Sequence, residues 1–181
     1  PEAAKFLGDV QEKLTNLSSH LIFFTLELNR IEDDVLEAAF AKDKVLARYR
    51  PWFEELRKAK PYQLEDRVEE LFHDKSQTGR GAWNRLFDET MASLKFDVDG
   101  KPMGLEPTLT QLSDRDETKR EAAFHAVAKT LDQNKRLFTQ ITNVLAKDKE
   151  ISDRWRGFKD IADSRHLANS VEREVVDALQ S

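Results

Sequence analysis

Apolar residues recur every three or four positions along most of this chain. The longest such stripe holds Ala123, Val127, Leu131, Leu137, Phe138, Ile141, Val144 and Leu145, and no Gly or Pro interrupts residues 114–147. That spacing predicts one long amphipathic helix, about 50 Å in length at 1.5 Å per residue. Asp114, Asp116 and Glu117 at its start and Lys147 and Lys149 at its end suit the helix dipole. Asp116 with Arg120, and Asp132 with Arg136, stand four residues apart, as helical ion pairs do. A rod of this length implies that the other elements pack along it.

Taken in order, Phe6, Leu7, Val10, Leu14 and Leu17 predict a first helix over residues 2–18, with Ser18 or Ser19 marking a bend or a new cap. The same period continues through Leu21, Phe24, Leu28, Ile31, Val35, Leu36 and Ala39. Residues 29–34 interrupt it, so one bent helix and two separate ones fit equally. Asp43 reads as the N-cap of a helix carrying Leu46, Tyr49, Phe53 and Leu56, kinked at Pro51 and ended by Pro61. Leu64, Val68, Leu71 and Phe72 mark the next helix. The glycines of residues 78–81 then read as a turn before Trp83, Leu86, Phe87, Met91 and Leu94.

At Leu94 the period drops to two. Leu94, Phe96 and Val98 alternate, Asp99-Gly100 is a strong two-residue turn signal, and Met103 and Leu105 return antiparallel, which predicts a β-hairpin near 94–106. Thr108 with Gln111 three residues on resembles a capping box. Beyond Lys149 the pattern is mixed, with Asp153, Gly157, Asp160, Asp163 and Asn169 as caps or breaks. A last helix carries Val171, Val175, Val176 and Leu179, with Asn169 or Ser170 at its cap. The class that follows is mainly all-α: a multi-helix bundle around one long helix with a small hairpin, in a single helical domain over residues 1–181.

Composition narrows function more than fold. Six Gly and five Pro are too few for a many-stranded β protein. A net charge of −5 gives no global attraction to nucleic acid or to an anionic membrane. The longest apolar run, residues 21–26, is closed by Glu27 and is far too short to span a bilayer. Glu2, Lys5 and Asp9 interrupt the apolar segment that a secretory signal needs. The absence of cysteine excludes disulfides and thiolate chemistry. A cytoplasmic protein with no nucleic-acid or membrane partner is the expectation.

Candidate chemistry is sparse. Glu70 and His73 have the Glu-x-x-His spacing of a di-iron carboxylate bundle, but such a site needs a second copy, and Asp163 with His166 is its nearest counterpart. A surface histidine is the simpler account. None of His20, His73, His125 or His166 is followed by Glu or by a His four positions on, so the helical zinc-peptidase motif is missing. Residues 164–166 lack a nucleophile elbow, and residues 78–81 lack the Gly-Lys-Ser/Thr ending of a phosphate loop. The segment from Arg48 to Tyr62 interleaves cations with aromatics as a nucleic-acid surface does, although Glu54 and Glu55 interrupt it and its aromatics suit a core. Arg154, Trp155 and Arg156 form the densest cationic and aromatic group beside a polar break, of a kind that can hold a peptide carboxylate or stack on a substrate. Interhelical packing is the plainer alternative.

Three stretches carry a family resemblance: ARYRPWFEELRKAKPYQLEDRVEELFHDKSQTGRGAWNRLFDETMASLKFDV, LEPTLTQLSDRDETKREAAFHAVAKTL and LAKDKEISDRWRGFKDIADSRHLANSVEREVVDAL. In this order they resemble the N-terminal part of oligoendopeptidase F, a zinc metallopeptidase family of the thimet-oligopeptidase type. The resemblance implies a mostly helical clamshell enzyme whose deep channel admits short peptides. This chain would form part of the channel wall and hold no cofactor. The zinc, bound by a His-Glu-x-x-His helix, would lie in a catalytic region outside these residues. No catalytic or metal-binding residue carries over, and the chain alone is expected to be inactive. Arg154, Trp155, Arg165 and Asn169 are the substrate-channel candidates. The expected partners are the missing C-terminal catalytic region, short peptides, and a second copy through apolar faces such as residues 21–26, which are apolar on more than one side. The alternative is an autonomous helical interaction module with no enzymatic parent.

Overall fold

The computed structural model describes residues 2–180. Helix accounts for 77% of the chain, against about a third in an average globular protein. The mainly all-α class with one long helix and one small hairpin, expected from the apolar spacing, is the class observed. The chain divides into two compact units. One holds the residues before Thr78 together with those from Lys149 onward, and the other is Thr78–Asp148.

The first unit opens with α1 (Glu2–Ser19). The Ser18 and Ser19 hydroxyls both donate back to the Thr15 carbonyl, at 3.0 and 2.9 Å, at the end of this helix. The interruption at residues 29–34 separates two helices, α2 (Ile22–Arg30) and α3 (Asp33–Lys42). Asp43 caps α4 (Lys44–Ala47) as expected, its carboxylate accepting the N–H groups of Val45 at 2.7 Å and Leu46 at 3.2 Å. Pro51 does not kink a longer helix. It sits in the first turn of a separate one, α5 (Arg50–Lys58), where its missing N–H has no helical acceptor to lose. A 3₁₀ turn, Lys60–Tyr62, holds Pro61 and leads to α6 (Asp66–Lys75). Leu36, Phe40 and Phe53 form the buried core here, backed by Leu28, Ile31, Leu46 and Ala47. The Phe40 and Phe53 rings meet edge to face at 5.5 Å.

The second unit starts with α7 (Arg80–Ser93). Gly79 precedes it and Gly81 is helical, so only one glycine of the pair serves the turn. β1 (Phe96–Val98) and β2 (Lys101–Met103) pair antiparallel with Phe96 opposite Met103 and Val98 opposite Lys101. Asp99 (φ 51°) and Gly100 (φ 80°) are both left-handed, as a type I′ turn requires. Leu105 leaves the returning strand and begins α8 (Leu105–Gln111). Gly104 takes the N-cap position, and Thr108 is fully buried in mid-helix with its hydroxyl donating to the Gly104 carbonyl at 2.7 Å, so the capping box is not formed.

The long helix, α9 (Glu117–Arg156), is capped by Asp116, whose carboxylate accepts the Thr118 N–H at 3.0 Å. It measures about 60 Å and ends well past Lys147. Neither expected four-residue ion pair is found. Arg120 donates instead to the free carbonyls of Asp114 (2.9 Å) and Arg115 (3.1 Å), and Asp132 takes the nearer Lys135 at 2.7 Å. Phe96, Val98 and Ala126 form the core of this unit with Leu94, Met103, Leu105, Ala122 and Val127. Alanine at 122 and 126 lets the hairpin lie close against the helix.

From Lys149 onward α9 belongs to the first unit. Gly157 (φ 80°) stops it: the Gly157 N–H donates to the Arg154 carbonyl at 3.2 Å and the Phe158 N–H to the Asp153 carbonyl at 3.0 Å, a Schellman closure. α10 (Asp163–Ala168) ends the same way, with Ser170 (φ 52°) in the position usually held by glycine. Asn169 and Ser170 thus finish α10 and do not cap α11 (Arg173–Gln180). Among the described residues no helix is long and apolar enough to cross a membrane.

Candidate functional site

The last two turns of α9 and the loop after them carry a connected polar cluster in the first unit. Its centre is Arg156, at 25% side-chain exposure, and Glu69, at 14%. The guanidinium makes two parallel hydrogen bonds to the carboxylate, 2.7 and 2.8 Å, and a third to the Tyr62 carbonyl at 3.2 Å. Glu69 also accepts the Leu64 N–H at 2.9 Å. Burial pushes the Glu69 carboxyl up, but the Arg156 hydrogen bonds, the Leu64 N–H and the Arg156 charge together outweigh it and hold the group below the ordinary carboxylate range. The same pairing raises Arg156. This bidentate pair fixes α6 and the 3₁₀ turn to the end of α9.

Lys149 works two turns further back along α9 than Arg156. Its ammonium donates to Asp153 on the next turn, to the Ile161 carbonyl at 2.8 Å and to the Ser164 hydroxyl at 2.7 Å. The loop between α9 and α10 is thereby strapped to the helix it leaves. Tyr62 stacks on Phe158 with centroids 3.9 Å apart and planes 17° from parallel.

These contacts surround a cavity of about 540 Å³, within the usual range for small-ligand sites. Trp52, Leu56, Tyr62, Phe158 and Leu167 give it an apolar body, and Glu55, Asp153 and Arg156 add charge. Each of these charges already has a partner. Glu55 accepts the Ser170 hydroxyl at 2.5 Å and the Lys58 ammonium at 3.1 Å, which hold its carboxyl below the usual range. A second cavity of about 370 Å³ lies along Lys58, Tyr62, Asp163, His166 and Arg173. There Arg173 lowers the Asp163 carboxyl through a hydrogen bond, and Asp163 raises Arg173. Every one of these shifts moves its group further from neutral pH. The arrangement suits orientation and apolar contact, and none of these shifted groups is poised to exchange a proton.

The four residues singled out from sequence lie beside the larger cavity's lining segment without joining the lining. Arg154 is exposed and pairs with Glu150 at 3.1 Å. Trp155 is 55% exposed and meets the Phe72 ring edge on at 6.3 Å. Arg165 is exposed on α10, with no side-chain ion pair among the described residues. Asn169 is exposed, and its N–H closes α10 on the Arg165 and His166 carbonyls. Their neighbours Asp153, Arg156, Phe158 and Leu167 face the cavity instead. Sequence reasoning missed Glu69, whose partner is 87 positions away. The one available signal was an arginine directly before a helix-ending glycine.

The remaining motifs are accounted for by packing. His73 Nε2 lies 2.9 Å from the Ser18 hydroxyl and 3.3 Å from the Thr15 carbonyl, in the contact between α6 and α1. His125 is exposed beside Glu121. Among the described residues no three His, Asp or Glu side chains converge to hold an ion, so the donor set does not fit a zinc centre. In the basic segment Arg50 pairs with Glu37, Arg57 with Asp33, and Lys58 with Glu55 and Glu172.

Neither the curated proteins nor the solved structures yield a match to this chain. Residues 27–96, from α2 through α7 to the first residue of β1, match the N-terminal family model described as Oligopeptidase F. Over those residues the chain is similar to the N-terminal region of enzymes of the oligoendopeptidase F type.

Proposed function

We propose that this chain is a noncatalytic wall element of a cytoplasmic, zinc-dependent oligopeptidase, lining a channel through which short peptides reach a catalytic region encoded outside residues 1–181. The match of residues 27–96 to Oligopeptidase F carries this reading. The site supports it. Its aromatic and aliphatic body offers contact area to a peptide side chain, and its charges are internally neutralised, so confinement is its contribution. The exposed Arg165 and Trp155 supply a cation for a peptide carboxylate and a flat apolar face. Among the described residues no group of His, Asp or Glu converges to hold a zinc ion, and this reading assigns the chain no step in hydrolysis.

A peptidase assay of the chain with added zinc is expected to show no turnover of short peptides, and specific turnover would overturn the noncatalytic reading. Titration of short apolar peptides against tryptophan fluorescence is expected to give a saturable change that Trp52→Phe diminishes. A flat titration would remove the channel-wall role from this cavity.

A further inference from the structure

Among the described residues three charged side chains line the larger cavity, and each has its counter-ion outside the lining. Asp153, at 14% side-chain exposure, is held by Lys149. Arg156 is held by Glu69 at 2.7 and 2.8 Å, and Glu55 by Lys58 at 3.1 Å. Lys149, Glu69 and Lys58 are not among the residues that face the cavity. A guest therefore meets Asp153, Arg156 and Glu55 as groups already neutralised from behind. The aromatic walls are fixed as well: Trp52 packs edge to face on Phe53 at 5.0 Å, and Tyr62 stacks on Phe158 at 3.9 Å. An entering ring finds apolar surfaces that are formed beforehand.

Charged guests of both signs are disfavoured here. A carboxylate beside Arg156 has to compete with the bidentate Glu69, and an ammonium beside Asp153 has to compete with Lys149, so either loses hydration without gaining a counter-charge. An uncharged ring loses no such hydration and gains contact with the aromatic wall beyond what its area alone supplies. We propose that the cavity is a specificity pocket for an uncharged aromatic side chain of a bound peptide, and that Lys149 and Glu69 set this preference from behind the wall by neutralising Asp153 and Arg156. The exclusion of charge is then a property of the two pairs, and removal of either outer partner reverses it for one sign only. Freed of Lys149, Asp153 becomes a site for a cationic side chain. Freed of Glu69, Arg156 becomes a site for an anionic one. This rests on the reading of the cavity as a peptide-contacting wall and names the side chain that the wall takes.

Isothermal titration calorimetry tests the proposal with Gly-X-Gly peptides acetylated at one end and amidated at the other, where X is Phe, Leu, Asp or Lys, so that only X carries charge. Wild type is expected to bind the Phe peptide about fivefold more tightly than the Leu peptide and at least about tenfold more tightly than the Asp or Lys peptide. Lys149→Gln keeps an N–H donor for the loop while removing the charge. It is expected to raise affinity for the Lys peptide about tenfold and to leave the Asp peptide weak, and Glu69→Gln is expected to do the reverse. Circular dichroism checks that each variant is folded. If Glu69→Gln is not, Lys149→Gln decides the matter, because the Lys149 side chain is 37% exposed and its loss leaves the Arg156–Glu69 pair intact. A pocket that is merely loosened changes its affinity for both charged peptides alike, and that result overturns the role of the pairs. Wild-type binding of the Leu, Asp or Lys peptide as tight as that of the Phe peptide overturns the preference while leaving the channel-wall reading in place. Failure of all four peptides to bind overturns both.

Discussion

The hairpin core and the α1–α6 contact solve the same packing problem in opposite ways. At the hairpin, Phe96 and Val98 point inward, Asp97 points out, and the apolar pair is sealed against Ala126. Local alternation and tertiary burial agree there. At α1 they disagree: hydrogen bonds from Gln77, His73 and Ser19 make the contact, and the leucines face solvent. A periodic stripe thus states that a face is made to be covered without stating which neighbour covers it.

The strongest way to break this contrast is Phe96→Ala. Removing a fully buried ring is expected to cost about 3–5 kcal/mol in denaturant unfolding, more than any single change at the α1–α6 contact. A cost under 1 kcal/mol would show that the hairpin core is not the stabilising element described.

Next comes Glu69→Gln, which leaves Arg156 half-buried without its counter-charge at an expected cost of about 2–3 kcal/mol. Its pH dependence sharpens the test. The Glu69 carboxyl is held below its ordinary value in the folded chain, so its contribution is complete above the unfolded value of about 4.3 and is lost as pH falls through the folded value. Wild type and Glu69→Gln are expected to differ most near neutral pH and to converge in acid, and parallel stability curves down to the lowest pH would contradict the pairing.

A smaller effect is expected at the turn. Gly100→Ala meets no atom within 4 Å but puts a side chain at φ 80°, costing about 1–2 kcal/mol. A neutral result by thermal melting would mean that the turn relaxes to another type. Smallest is Gln77→Ala, about 1 kcal/mol for hydrogen bonds at a partly buried helix contact. A loss as large as that of Phe96→Ala would erase the distinction between the two regions.

Features that depend on neighbouring residues were legible in the sequence. The Asp43 cap, the Asp99-Gly100 turn and the uninterrupted helix after Asp116 all rest on interactions within a few positions. Errors arose where two local signals competed. Pro51 can kink a helix or open one, and a short turn before Arg50 decided for opening. Asn169 and Ser170 can begin a helix or end one, and the left-handed Ser170 decided for ending. The site was legible only as a segment. Residues 154–169 border the cavity, but Arg156 rather than Arg154 is turned toward Glu69, and no local rule connects residues from different helices. The face by which α1 is held was equally hidden, because its polar contacts come from residues more than fifty positions downstream.

The distance between Glu69 and Arg156, 87 positions, sets an order of events during synthesis. Glu69 joins the growing chain before any of Thr78–Asp148 has been made, and at roughly 5–20 residues per second its arginine is added several seconds later. For that interval the nascent chain holds an open clasp, and the hairpin and its helix have time to form before the clasp shuts.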